Sequence, residues 1–188
     1  MGCAKIAAVL LAAGHGTRFG GNKLETLFKG EMLGLYAART LAKLNCDYML
    51  AVHNPANAPL GAALRHEGFV LIDNEDPSAG QGHSMALAAQ AALETDAAAI
   101  LVCLADMPLV TLDHLRSLTD AQSDHVVASA IGTVRMPPAL FPRRLFPALA
   151  CLSGDIGARA LLTNAIVVAG NAEILADIDT PADLNHSS

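Results

Sequence analysis

Apolar and polar positions along this chain form two different patterns, continuous apolar runs and helical repeats. Ile6 to Ala12 and Ala98 to Leu104 are short, nearly uninterrupted apolar runs, which are typical of parallel strands covered on both faces. Met32 to Leu44 instead repeats leucine and alanine every three or four residues, which predicts an amphipathic helix. Because segments of the two kinds follow one another throughout, we predict an α/β fold with a single doubly wound, mostly parallel sheet.

The remaining segments continue this alternation to the end of the chain. Further extended segments are predicted at Leu24 to Phe28, Tyr48 to Val52, Phe69 to Ile72, Val126 to Ala130 and Ala165 to Ala169. Further helices are predicted at Pro59 to His66, Ser84 to Leu93, Thr111 to Leu118, after a turn at Ser153 as far as Leu162, and after Pro181. Gly132 to Pro147 contains four prolines and is predicted to be an irregular excursion. The length suits one domain spanning residues 1–188.

The composition narrows the classes of partner. A formal charge of −6 argues against a general surface for nucleic acid or an anionic membrane, although a local basic pocket remains compatible with it. The apolar stretch Met1 to Ala13 is shorter than a membrane span and continues into a loop, so we interpret it as a strand and not as a signal sequence. The four cysteines include no Cys-x-x-Cys pair, which indicates reduced thiols in a cytoplasmic protein and argues against a zinc site.

The first apolar run leads into a glycine-rich, basic loop. Glycines let the backbone turn sharply and bring its N–H groups close to an anion, and here they are Gly14, Gly16, Gly20 and Gly21. Arg18 suits bidentate contact with phosphate oxygens and Lys23 adds a mobile charge, so the loop predicts a triphosphate site. It matches neither the P-loop, because Leu24 follows Lys23, nor the dinucleotide fingerprint, because Phe19 replaces the third glycine. A plain loop with solvated charges is the alternative.

Aspartates after two later segments are candidate metal ligands. Asp106 follows the most apolar predicted strand, whose carboxyl end should meet the glycine loop at one edge of the sheet. Mg²⁺ bound with a nucleotide takes one or two protein carboxylates, so Asp106 is a good first ligand, with a cap of a turn or helix as the alternative. Asp177 and Asp179 would share one face of an extended segment, so either of them could complete the site.

A second polar loop precedes the helix predicted to begin at Ser84. Free N–H groups and polar side chains at a helix N-terminus bind bases, riboses and phosphates, and here they would come from Gly80, Gln81, Gly82 and Ser84. Ser84 acting only as an N-cap is an equally good interpretation. His83 has no partner at metal-ligand spacing and is interpreted as a polar loop residue. His15 lies in the phosphate loop but has no Ser or Cys partner for a nucleophilic dyad.

Five segments resemble, in the same order, the motifs of one family. They are Leu11-Ala-Ala-Gly-x-Gly-x-Arg-x-Gly-Gly-Asn-Lys23, Gly80-Gln-Gly-x-Ser84, Leu104-Ala-Asp-Met-Pro108, Gly154-Asp-x-Gly-Ala-Arg159 and Asp177-Ile-Asp-Thr-Pro-x-Asp-Leu184. They span nearly the whole chain, which is similar to the nucleotidyltransferases related to molybdenum cofactor cytidylyltransferase. The resemblance implies the Rossmann-like nucleotidyltransferase fold.

The resemblance also implies a reaction and the residues for it. An acceptor phosphate attacks the α-phosphorus of a nucleoside triphosphate, and pyrophosphate is released. Mg²⁺ is the implied cofactor, with Asp106 and Asp179 as its ligands. The implied catalytic residues are Arg18, Lys23 and Asp106. The implied nucleotide-binding residues are Leu11, Ala12, Ala13, Gly14, Gly16, Thr17, Arg18, Lys23, Gly80, Gln81, Gly82 and Ser84.

The resemblance suggests the substrates less directly. Ala12-Ala13 before Gly14 resembles the cytidylyl members, so CTP is expected more than GTP, with molybdopterin cofactor as acceptor and a molybdoenzyme as a further partner. Met136-Pro137 departs from the Gly-His that the family usually shows there, which leaves the acceptor open. The alternatives are another sugar- or alcohol-phosphate nucleotidyltransferase, and a nucleotide-binding maturation factor for a molybdoenzyme without turnover. A dehydrogenase is disfavoured, because no acidic ribose-binding residue follows the loop at the required distance.

Overall fold

The computed structural model describes residues 5–14, 19, 22–154 and 158–186. In this part of the chain the strands are β1 (Ile6–Ala12), β2 (Leu27–Phe28), β3 (Glu31–Met32), β4 (Tyr48–His53), β5 (Val70–Asp73), β6 (Ala99–Leu104), β7 (Val127–Ile131), β8 (Val134–Pro142) and β9 (Ile166–Ala169). Seven of them form one sheet in the order β5-β4-β1-β6-β8-β7-β9, while β2 and β3 pair separately. Only β8 runs antiparallel to its neighbours in the described sheet. The predicted mostly parallel α/β fold is confirmed.

The helices cover both faces of this sheet. They are α1 (Leu33–Ala42), α2 (Ala58–His66), α3 (Gln81–Leu93), α4 (Leu112–Asp120), α5 (Phe146–Leu149) and α6 (Asp183–His186). Successive side chains of a strand point to opposite faces, so Val9 of β1 packs on the side of α3 and α5, whereas Leu10 packs on the side of α1, α2 and α4. Burial on both faces explains why the β1 sequence is apolar without interruption.

The structure corrects the interpretation of Gly132 to Pro147. Most of this segment is the nine-residue strand β8, which pairs with both β6 and β7. The register with β7 shifts beside Ser129, and Pro137 and Pro138 are the two residues of β8 left without a partner there. Proline has no N–H to donate to a neighbouring strand and is tolerated at such a bulge. The prolines therefore mark a bulge within a strand.

Other elements lie close to their predicted positions. Leu24 to Phe28 is extended only at β2, because a 3-10 turn spans Lys23–Glu25. The helix predicted to end at Leu162 is the 3-10 helix Arg159–Leu162, and residues 155–157 before it lie outside the described residues. Thr111 caps α4 as predicted, accepting a hydrogen bond from the N–H of His114. No helix in the described ranges is long and apolar enough to cross a membrane.

The sheet order creates a crevice between β1 and β6. These strands are neighbours, but the chain leaves β1 towards β4 on one side and resumes with β6 on the other. In open α/β sheets, ligands bind at such a switch point, beyond the carboxyl ends of the strands. Gly14 follows β1 closely and Asp106 follows β6 closely, so the topology brings Gly14 and the first candidate metal ligand to one crevice.

Candidate functional site

Lys23 provides a buried positive charge at this crevice. It begins the 3-10 turn after the glycine loop, and only 8% of the residue is exposed. Its Nζ lies 2.9 Å from Oδ2 of Asp106 and 3.0 Å from Oδ1 of Asp179 and donates a hydrogen bond to each. Three segments that are far apart in sequence therefore meet at one ammonium group.

Backbone contacts hold the two aspartates near each other. Ile178 is buried, and its N–H donates to the carbonyl oxygen of Asp106 at 2.9 Å. Oδ2 of Asp183, the first residue of α6, accepts a hydrogen bond from the N–H of Asp179 at 3.0 Å. Ile178 is thus bonded to the turn after β6, and Asp179 is bonded to the first residue of α6. Together these contacts position the Asp179 carboxylate at Lys23.

Burial and neighbouring charges shift the pKa values of Asp106 and Lys23. Burial raises the pKa of Asp106; the Lys23 ammonium opposes this shift, and the nearby charges of Asp177 and Asp179 add to it. Burial by itself lowers the pKa of Lys23, but the two carboxylates outweigh it and raise that pKa, so Lys23 is protonated at neutral pH. The site therefore holds one firmly charged ammonium facing an excess of carboxylates.

The two carboxylates fit a hard divalent cation. The Lys23 ammonium already lies between one oxygen of Asp106 and one of Asp179, where a shared cation would bind. Oδ1 of Asp106 is buried and has no hydrogen-bond partner among the described residues, so its lone pairs are available to a ligand. Among those residues, no three His, Cys, Asp or Glu side chains converge. Phosphate oxygens and water would complete the shell, as is usual for Mg²⁺ bound with a nucleotide.

A cavity of about 310 Å³ lies beside Asp106. The first turn of α3, the bulged part of β8 and the 3-10 helix Arg159–Leu162 surround it. Its polar lining residues are Gln81, Asp106, Arg159 and Asp177. Its apolar lining residues are Leu11, Met85, Val102, Leu104, Met107, Met136, Pro137, Ala139, Phe141, Ala158, Leu162 and Leu175. This lining can hold a largely apolar or flat group with an anionic group near Arg159.

The helix that follows the second polar loop begins earlier than predicted. α3 starts at Gln81 with Gly80 as its N-cap, so the interpretation of Ser84 as an N-cap is wrong. Ser84 lies inside the helix, is 7% exposed and accepts a hydrogen bond from Nδ2 of Asn74 at 3.0 Å. Gln81 is the residue of this loop that lines the cavity. Serine favours a cap in an isolated helix, but here its hydroxyl has a buried partner from the loop after β5.

Gly82 is used for packing within the protein. Its N–H donates to the carbonyl oxygen of Gly154 at 2.8 Å, so it is not one of the free N–H groups predicted for ligand binding. A Cβ at Gly82 would lie only 2.7 Å from that oxygen, which requires a glycine. This contact joins α3 to the segment that leads to Arg159.

The glycine loop is described in part. Leu11 lines the cavity, while Ala12 and Ala13 are buried and are not among its lining residues. Gly14 is exposed and has open space where a Cβ would lie. The residues outside the described ranges include His15, Gly16, Thr17, Arg18, Gly20 and Gly21. The predicted contacts of Gly16, Thr17 and Arg18 with a nucleotide therefore stay predictions.

The cavity also contains residues to which the sequence interpretation assigned no role. Arg159 ends the motif that begins at Gly154, so its place in an ordered motif was a usable signal. Met136 lies in the segment interpreted as irregular, and its departure from the family pattern was the only signal there. The two candidates for the second metal ligand differ in their contacts, because Asp179 bonds to Lys23 whereas Asp177 lines the cavity, and the choice of Asp179 stays a prediction.

Sequence comparison relates this arrangement to known proteins. Residues 8–171 match the model of the MobA-like NTP transferase domain. The chain is 34% identical over 188 residues to the purine catabolism protein PucB of Bacillus subtilis, an alignment that covers 93% of this chain and 92% of PucB. The similarity therefore extends through the glycine loop, Asp106 and the cavity-lining strand β8.

Solved structures share the fold. Rv0371c of Mycobacterium tuberculosis superposes with a TM-score of 0.84 at 23% identity, covering 100% of this chain and 98% of that one. That protein has also been solved as a complex with manganese. The 4-diphosphocytidyl-2C-methyl-D-erythritol synthase of Anaerococcus prevotii gives a TM-score of 0.78 at 14% identity, covering 99% of this chain and 97% of that one. Because the family match extends over residues 8–171, the chain belongs to the MobA-like NTP transferase domain family and is a nucleotidyltransferase.

Proposed function

We propose that this protein is a Mg²⁺-dependent cytidylyltransferase that transfers CMP from CTP to a phosphorylated acceptor, with molybdopterin cofactor as that acceptor. An acceptor phosphate oxygen forms a bond to the α-phosphorus of CTP, the bond from that phosphorus to the α,β-bridging oxygen breaks, and pyrophosphate leaves. The observation that carries this proposal is the group of Lys23, Asp106 and Asp179 at the crevice between β1 and β6.

The proposed residues supply charge and position. Lys23 and, from the glycine loop, Arg18 bind triphosphate oxygens, while Asp106 and Asp179 hold Mg²⁺. The ion neutralises charge on the phosphate oxygens, which together with positioning provides most of the catalysis in phosphoryl-type transfer. A phosphomonoester is already anionic at neutral pH, because its second pKa is about 6, so the acceptor needs no general base from the protein.

The cavity beside Asp106 supports an acceptor that contains a flat ring system. Arg159 provides a cation for an acceptor phosphate, and Met85, Met107 and Met136 provide polarisable surfaces for a ring system. A sugar or polyol phosphate presents hydroxyls on all sides, whereas a pterin carries its polar groups at the ring edge and leaves two faces for the apolar side chains that make up most of this lining. This difference favours molybdopterin over the sugar- and alcohol-phosphate alternatives.

Pyrophosphate release tests the proposal directly. CTP, GTP, ATP and UTP are each incubated with Mg²⁺ and molybdopterin cofactor, and turnover is expected with CTP above GTP. Asp106→Asn should lower kcat/KM by about 10²-fold or more, since it removes a charge that holds the proposed metal. Asp113→Asn is the matched control, because Asp113 is an exposed aspartate in the first turn of α4.

The same experiment separates the alternatives. Absence of turnover with every nucleotide across a panel of phosphorylated acceptors would exclude the enzymatic proposal. Calorimetry then measures CTP binding to the wild type and to Asp106→Asn. Binding that persists in both proteins without turnover in the wild type would favour the nucleotide-binding maturation factor.

A further inference from the structure

The Lys23 ammonium and a divalent cation require the same carboxylate oxygens. Nζ lies 2.9 Å from Oδ2 of Asp106 and 3.0 Å from Oδ1 of Asp179, so it lies between the two groups that would hold the metal. A second cation at this position would lie next to a buried positive charge. Solvent and salt screen such repulsion only weakly, because the Lys23 side chain is 10% exposed.

We propose that Lys23 excludes a free divalent cation from Asp106 and Asp179 until a triphosphate attracts the ammonium onto its own oxygens, so that metal and nucleotide bind as one complex. The inference rests on the proposed function for the roles of these three side chains. The lysine side chain has four rotatable carbon–carbon bonds and can exchange one anionic partner for another. The exchange leaves each cation next to an anion: the metal with the carboxylates, and the ammonium with the phosphates.

The burial of the two carboxylates indicates how the exchange begins. The Asp179 side chain is 50% exposed, whereas that of Asp106 is 24% exposed and has one buried oxygen without a hydrogen-bond partner among the described residues. The contact with Asp179 is therefore the more accessible of the two to solvent and to an incoming phosphate. Once Lys23 leaves, Oδ1 and Oδ2 of Asp106 both become available to one cation.

Mn²⁺ binding without nucleotide tests this competition. Free Mn²⁺ is measured by electron paramagnetic resonance at pH 8 for the wild type, Lys23→Met and Lys23→Gln. Both Lys23 variants should bind Mn²⁺ about tenfold or more tightly than the wild type, comparable to the effect of one neighbouring charge on a carboxylate. Lys23→Arg keeps the charge and should bind Mn²⁺ as weakly as the wild type.

Lys5→Met is the matched control for net charge. Lys5 also forms an ion pair, 2.8 Å from Asp96, but it precedes the amino end of β1, at the edge of the sheet opposite the crevice. Its removal should leave Mn²⁺ affinity unchanged within about twofold, because exposed distant charges are screened. The competition is overturned if Lys23→Met and Lys23→Gln bind Mn²⁺ no more tightly than Lys5→Met does.

Nucleotide binding gives a result of the opposite sign. The affinity of the Mn²⁺–CTP complex should fall in Lys23→Met and Lys23→Gln, although the affinity for Mn²⁺ alone rises. The inference and the proposed function can fail separately. If the Lys23 variants bind Mn²⁺ more tightly but the wild type shows no nucleotidyl transfer, the competition is supported and the proposed function is excluded. If the wild type transfers CMP but the Lys23 variants bind Mn²⁺ no more tightly, the function is supported and the competition is excluded.

Discussion

At the scale of single residues, Asp106 shows how a fold changes the chemistry of a common side chain. Its position after an apolar strand makes it a ligand candidate from sequence, but its protonation depends on neighbours that the sequence does not place. Burial raises its pKa, Lys23 opposes that shift, and Asp177 and Asp179 increase it. The result is a carboxylate that binds a proton more readily than an exposed aspartate.

The pH dependence of activity should reflect this raised pKa. Protonation of Asp106 removes one charge from the proposed metal site, so kcat/KM should fall with decreasing pH at values above the ordinary aspartate pKa of 3.8. A pH–rate profile of CMP transfer measures this acid limb. An acid limb at or below 3.8 would show that the carboxylate is not shifted upwards in the free enzyme.

The same shift has a definite sign for stability. The folded protein binds this proton more tightly than the unfolded chain, so the contribution of Asp106 to the free energy of unfolding grows as pH falls through the folded pKa. The gain levels off below 3.8, the value of an unperturbed aspartate. Conversely, this contribution is lost as pH rises from 3.8 through the raised pKa of Asp106 in the folded protein.

At the scale of elements, a buried hydrogen-bond chain connects α4, β7 and the bulge of β8. The hydroxyl of Ser129 donates to the carbonyl oxygen of Pro138 at 2.7 Å, so Nε2 of His114 must be the donor in its 2.8 Å contact with that hydroxyl. Burial lowers the pKa of His114, which favours this neutral form. Met136 and Pro137, next to this carbonyl, line the cavity. These hydrogen bonds therefore support one wall of the proposed acceptor site.

Ser129→Ala should weaken this wall. It leaves two buried polar groups without a partner, so the free energy of unfolding should fall by about 1–3 kcal/mol. The KM for the acceptor should rise while the KM for CTP stays constant, and Ser129→Thr, which keeps the hydroxyl, should restore it. Ser117→Ala on the exposed side of α4 is the control, expected to change stability by less than about 0.5 kcal/mol. Equal changes in both KM values would argue against a specific effect on the wall.

At the scale of the whole molecule, the proposed site is assembled from segments spread over the chain. Lys23 comes from the first loop, Asp106 from the middle and Asp179 from close to the last described residues. A ligand that contacts all three links these segments in the folded state and has no equivalent site in the unfolded chain. Its binding should therefore stabilise the protein as a whole.

Thermal unfolding measures this linkage. At about 100 times its dissociation constant, CTP with Mg²⁺ should stabilise the protein by about 2.7 kcal/mol. A chain of this size should then show a rise in Tm of about 2–4 °C for each kcal/mol. Addition of EDTA should abolish most of the shift, and GTP, ATP and UTP at the same concentration should give smaller ones. A larger shift with GTP would show that the expected base preference is wrong.

Much of the scaffold could be predicted because its signals are local. The apolar run of β1, the helical spacing of α1 and the cap of α4 at Thr111 each depend on residues close in sequence. β8 was missed because its prolines are compatible with a strand only where a neighbour shifts register, which is a property of the pair of strands. The start of α3 was misplaced for the same kind of reason, since Ser84 has a partner from another loop.

The sequence by itself determined the alternation of strands and helices, and it brought Gly14 and Asp106 to the same edge of the sheet. Hydrophobic period and right-handed crossovers are sufficient for that. Only the tertiary structure decided that Lys23 contacts both Asp106 and Asp179, that Asp177 lines the cavity, and that Arg159 joins it there. Those outcomes depend on contacts between segments up to 156 positions apart, and neither spacing nor period specifies the distances across such gaps.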